Sequence, residues 1–218
     1  MIDESRRTDI YNVAFLFMIE NNLDTIPVSI ERICRILKIE LVPLTQISFE
    51  TGLSQEDIFD LWGNRDGVLQ YFNGRYKIAY NDLQSEVRRR FTVMEEISHC
   101  LLGHGLDPTF NMFNQHYDRQ TYARYEEEAR MCAGLVLCPP QYYYNYNFPC
   151  KMSRNLFQQM YKVSGSCAET RIDILAKYET EIKRNDFYGV LPEVKYENPF
   201  YPWPWGLYRH NQDNYAVI

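Results

Sequence analysis

At 218 residues, 45% of them hydrophobic, the chain is long enough for one sizeable core, or one domain with an appendage, and too apolar to be disordered throughout. Its formal net charge of −6 argues against a general electrostatic footprint for nucleic acid. The charged start, Ile2 to Arg7, is not followed by a secretory h-region, and the best apolar stretch, Val13 to Ile19, is far too short to span a bilayer. A cytoplasmic, non-membrane protein is the expectation.

Taken in order, residues 6–21 carry Ile10, Val13, Ala14, Leu16, Phe17 and Met18 at helical spacing. Ser29 caps a second helix whose apolar face is Ile30, Ile33, Cys34 and Leu37. Leu41 to Leu44, with a proline inside it, reads as a short edge strand. A short helix starts at Ser54 and ends near Gly63. Two β-favouring runs, 68–72 and 75–80, flank Asn73-Gly74, the strongest short-range hairpin signal.

A helix is expected from Leu83 to about Leu102, stopped by Gly103, and another from Tyr122 to Leu137, halted by Pro139-Pro140. An Asn- and aromatic-rich loop over 105–118 separates them. Further helices are expected over 152–162 and 166–183, with Ser164 as an N-cap beside Cys167. Residues 1–183 read as one domain, and 184–218 as an aromatic and proline-rich tail. The six cysteines form no C-x-x-C pair and mostly lie among apolar neighbours, so free buried thiols are expected.

The chemistry concentrates on two helices. A zinc-peptidase helix reads His-Glu-x-x-His: two imidazoles at i and i+4 share one face and one metal, and the glutamate activates the metal-bound water. Here the five positions are Glu95-Glu96-Ile97-Ser98-His99. The later helix carries Glu126, 27 residues after His99, together with Glu128 and Arg130. Arg90-Phe91-Thr92, Glu96-x-x-His99-x-Leu101-Leu102-x-His104, then Glu126-x-Glu128-Ala129, Ala133, Leu135 and Pro139 together resemble the ImmA/IrrE family of zincin-like metallopeptidases. The segment Leu156 to Ser164 with Thr170-Arg171-Ile172 resembles that family's following element.

The resemblance spans roughly residues 10–180. It implies an α+β fold of the zincin-like metallopeptidase kind, a helical body with a small antiparallel sheet. It also implies a metal-dependent endopeptidase that cleaves a protein or peptide, typically a transcriptional repressor of bacteria and their mobile elements. Glu96 would be the catalytic base. Glu95, His99 and Glu126 would be the metal ligands, holding zinc or another divalent metal, with Arg130 and Glu128 beside them. Glu126 is preferred to Glu128 because it lies one turn from position 130.

The pattern departs from the family where the metal should sit: Glu95 replaces the first histidine, Arg130 an Asn or Asp, and Cys132 a Phe. Two readings follow. In one, the carboxylates and the imidazole hold a metal of altered preference. In the other no metal binds, Arg130 pairs with Glu95 or Glu126, and the protein is an inactive pseudopeptidase that binds a protein or peptide. His104 reads as a C-terminal cap of its helix. Arg88-Arg89-Arg90 point three ways on a helix and make no nucleic-acid stripe, so DNA binding is not expected. The Tyr142-Tyr143-Tyr144 cluster fits either a peptide surface or internal packing.

Overall fold

Local side-chain chemistry starts several of the helices. Ser54 accepts from the Asp57 N–H at 3.2 Å while the Asp57 carboxylate accepts from the Ser54 N–H at 3.0 Å, a reciprocal cap. Ser153 and Ser164 likewise accept from the N–H groups of Leu156 and Cys167. The computed structural model describes residues 2–72, 74–104, 119–146, 152–197 and 207–209. They form α1 (Glu4–Glu20), β1 (Thr25–Ile26), α2 (Ile30–Leu37), β2 (Glu40–Pro43), α3 (Leu44–Thr51), α4 (Gln55–Trp62), β3 (Gly67–Phe72) and β4 (Arg75–Tyr80). There follow α5 (Glu86–Leu101), α6 (Arg119–Leu137), α7 (Pro140–Tyr146), α8 (Arg154–Tyr161), α9 (Gly165–Lys177), α10 (Glu179–Arg184), β5 (Lys195–Glu197) and β6 (Leu207–Arg209). This is an α+β chain, mostly helical.

The chain divides into two units, Met1–Ala14 with Ile30–Leu135, and Phe15–Ser29 with Val136–Ile218. In the first, the sheet runs β2-β4-β3, with β3 antiparallel and β2 parallel to β4. The expected antiparallel sheet is therefore mixed. Helices α3 and α4 lie between β2 and the hairpin, a crossover long enough to bring β2 in parallel. Leu44, Ile58, Phe59, Trp62, Val68 and Ala79 form one apolar cluster joining α3 and α4 to the hairpin. Gly67 marks where α5 meets the strands. A Cβ there would lie 2.9 Å from both the Ala79 carbonyl oxygen and Thr92 Cγ2, so only glycine admits this approach.

In the second unit, Pro140 both follows the end of α6 and opens α7, where its missing N–H costs no helical bond. Tyr142, Tyr143 and Tyr144 are buried, and the Tyr144 hydroxyl donates to the Leu175 carbonyl at 2.8 Å, so this cluster packs the interior. The single helix expected over 166–183 is broken at Tyr178 into α9 and α10. Within 184–218, β5 pairs parallel with β1 and antiparallel with β6. The 105–118 loop, Asn73, Cys150, His116, His210 and the aromatic run 198–205 lie outside the described residues. Cys34, Cys132 and Cys138 are buried, Cys100 and Cys167 are half-buried, and none of these five is in a disulfide. No helix among the described residues is long and apolar enough to cross a membrane.

Candidate functional site

Helical periodicity puts Glu95 and His99 on one face of α5, and Glu126 and Arg130 one turn apart on α6. The structure brings these four together. Arg130 Nε donates to Glu95 Oε1 at 2.8 Å, and Arg130 Nη2 donates to Glu126 Oε2 at 2.8 Å. One guanidinium thus bridges two carboxylates on two helices. The Arg130 side chain is 58% exposed, whereas those of Glu95 and Glu126 are 13% and 16% exposed. The acids are seated in the protein, and the cation covers them from the solvent side.

Glu96 turns toward the sheet. Its Oε2 accepts from the Leu69 N–H at 2.8 Å, on edge strand β3. Burial pushes the Glu96 carboxyl up to about 8, with the neighbouring Glu126 and Glu95 charges adding to the shift. Burial also raises Glu95, to about 7, against the pull of Arg130. Burial opposes ionisation of Glu126 too. Hydrogen bonds from His99 and Tyr122 nevertheless hold that carboxyl below its usual range.

Behind His99 runs a second, enclosed chain of polar contacts. His99 Nδ1 lies 3.0 Å from His104 Nδ1, and His104 Nε2 lies 2.9 Å from Glu128 Oε2. Arg6 of α1 donates to the same Glu128 oxygen from Nη2 at 2.6 Å and from Nε at 3.0 Å. Burial, then the adjoining His99, pushes His104 down to about 4, so its ring is neutral near pH 7 and carries one proton. The Glu128 carboxylate accepts only, which fixes that proton on Nε2 and leaves His104 Nδ1 to accept from His99 Nδ1–H. The remaining contact, His99 Nε2 to Glu126 Oε1 at 3.5 Å, is favourable only with a proton on Nε2 or another cation there.

His104 is therefore no simple cap. Gly103 takes the left-handed conformation (φ +73). The His104 N–H returns to the His99 carbonyl at 2.9 Å, and the Gly103 N–H to the Cys100 carbonyl at 3.2 Å. This paired closure carries residue 104 back over residue 99. The contact at that corner, usually apolar, is here an imidazole pair, with His104 also stacked on Tyr125 at 4.2 Å between ring centroids. A histidine directly after the helix-ending glycine was the available sequence signal. Arg6, 122 residues before Glu128, gave none.

Of the residues expected at the site, Glu95, His99, Glu126 and Arg130 meet. Glu96 lies beside them but is bound to β3, and Glu128 stands on the far side of the His pair. Glu95 and Glu126 face the Arg130 guanidinium, His99 turns Nδ1 to His104 and Nε2 to Glu126, and Glu96 faces a backbone N–H. Among the described residues no group of three or more His, Cys, Asp or Glu side chains is placed to hold a metal ion.

The family model for the IrrE N-terminal-like domain matches residues 57–173, more than half of the 218-residue chain. Neither the curated proteins nor the solved structures hold a significant match to it.

Proposed function

Since this chain belongs to the IrrE N-terminal-like domain family, we propose that it is a catalytically inactive pseudopeptidase, a protein- or peptide-binding module on a zincin-like scaffold. The observation that carries this reading is the Arg130 guanidinium between Glu95 and Glu126. Buried carboxylates stay ionised only beside a cation, and here an arginine of the chain supplies it. Glu96, the expected base, is turned to the Leu69 N–H on β3.

The second reading is the family's own: a metal-dependent endopeptidase acting on a transcriptional repressor, with zinc or another divalent metal on Glu95, His99 and Glu126 and with Glu96 as base. One feature favours it. The Glu128–His104–His99 chain presents His99 Nε2 toward Glu126 with its other nitrogen hydrogen-bonded, as a metal-binding imidazole is commonly held.

The double substitution Glu95→His with Arg130→Asn separates the two. Zinc affinity, read by competition with a chromophoric chelator, is expected to rise by ~100-fold or more over wild type, since both a ligand and its supporting residue are restored. Wild-type affinity equal to that of the double variant would overturn the pseudopeptidase reading.

A further inference from the structure

The second unit carries a cavity of its own. It encloses about 280 Å³ between the start of α7, the 3-10 turn Tyr188–Val190 and the segment that leads to Val194. Every lining residue lies within Val136–Ile218, so the cavity is built inside one unit. Small-molecule pockets run from roughly 300 Å³ upward, so this one suits a single side chain or a compact ligand.

Gln141 gives the cavity its chemistry. The residue is 9% exposed, and its Nε2 donates to the Pro192 carbonyl oxygen at 3.2 Å. A carbonyl only accepts, so this contact fixes the amide nitrogen on Pro192 and turns the amide oxygen the other way. Gln141 Oε1 is enclosed and meets no hydrogen-bond donor. A buried acceptor left unpaired is costly, and what it demands is an N–H or O–H brought from outside the chain. The other walls narrow the choice. Tyr142 and Tyr188 supply aromatic surface, Val194 aliphatic surface, and exposed Glu193 a carboxylate at the solvent side. The lining contains no lysine or arginine that would favour an anion.

From this arrangement we infer that the cavity binds the primary ammonium end of an alkyl chain. An N–H of the ligand is donated to Gln141 Oε1, its charge is matched by Glu193, and its methylenes rest on the tyrosine and aliphatic walls. An ammonium carries several donors on a flexible apolar stem, and aromatic faces attract it. The stem belongs either to a lysine of a polypeptide or to a free alkyl amine. The inference concerns the second unit alone and holds whether or not the α5–α6 site takes a metal.

NMR titration of the full chain tests it, with N-acetyl-lysine methylamide and n-butylamine as probes. Both are expected to bind saturably at millimolar concentration and to shift the amide signals of Tyr188 and Val194. N-acetyl-norleucine methylamide, which lacks the ammonium, should bind about tenfold more weakly than the lysine probe. Gln141→Leu should also weaken the lysine probe about tenfold, as the loss of a hydrogen bond to a charged group does. Glu193→Gln should weaken it about threefold, since that charge is exposed. The exposed position of Glu193 keeps the test available should Gln141→Leu fold poorly.

Tighter binding of the lysine probe than of butylamine assigns the stem to a polypeptide, and the reverse assigns it to a free amine; both support the inference. Absence of saturable binding by either amine, the result expected of a cavity that holds only water, would overturn it. So would norleucine binding as tightly as lysine, or lysine affinity unchanged in both variants.

Discussion

The two ends of the α5–α6 site are built on opposite plans. At one end, Glu128, His104 and His99 are almost wholly buried, with Arg6 closing the chain of contacts from α1. At the other end, Glu95 and Glu126 meet one arginine whose side chain is more than half exposed. The closed end is the arrangement that orients an imidazole for work. The open end places an arginine on the two carboxylates beside that imidazole.

This contrast predicts unequal costs. Glu128→Ala leaves His104 and Arg6 without their shared acceptor and should destabilise the protein by about 3 kcal/mol in urea unfolding. Glu128→Gln, which keeps an acceptor oxygen, should cost clearly less. A loss within experimental error for Glu128→Ala would mean that the closed end is not a stabilising unit.

The pH dependence is the next largest effect. Glu95 and Glu96 have folded-state values of about 7 and about 8, both above the ordinary 4.5. Between about 4.5 and 8 these two groups keep protons in the folded protein that the unfolded chain has released, so their contribution to stability falls as pH rises. His104, pushed down to about 4 from 6.5, acts in the opposite sense below about 6.5. Each group contributes a slope of at most ~1.4 kcal/mol per pH unit. Glu96→Gln keeps an oxygen for the Leu69 N–H and removes one titration, so its unfolding midpoint should vary less from pH 5 to 8. Identical slopes in variant and wild type would contradict the assignment.

Arg130→Ala at the open end should cost less than Glu128→Ala, since its cation is mostly exposed and Glu95, raised to about 7, can take up a proton in its place. A thermal-unfolding loss as large as that of Glu128→Ala would erase the distinction between the two ends.

Much of the scaffold was legible where a short-range device announces it. Ser54 with Asp57, Ser164 before Cys167 and the turn at Gly74 each act over three or four residues. Helix α3 was not legible. Thr45, Ile47 and Thr51 are weak helix formers. What holds the helix is non-local: Leu44 in the core, and the Thr45 N–H and hydroxyl on Asp82 at 3.0 and 2.6 Å. The parallel placement of β2 was hidden for the same reason, since strand partners are chosen through tertiary packing.

At the site, the encounter of Arg130 with Glu95 and Glu126 could be framed from sequence as one of two outcomes, because residues 126 and 130 share a helix face. The His99–His104 contact depends on the left-handed turn at Gly103. The arrival of Arg6 at Glu128 depends on how α1 packs against the site, and no local pattern encodes that.

The most direct test of the central claim, that an arginine of this chain supplies the charge a metal would bring, is elemental analysis. The protein would be purified without chelator and compared with Glu126→Ala prepared in parallel. The account predicts far less than one equivalent of zinc, manganese or iron in both samples. Near-stoichiometric metal in the wild type that disappears in Glu126→Ala would contradict it and restore the metallopeptidase reading.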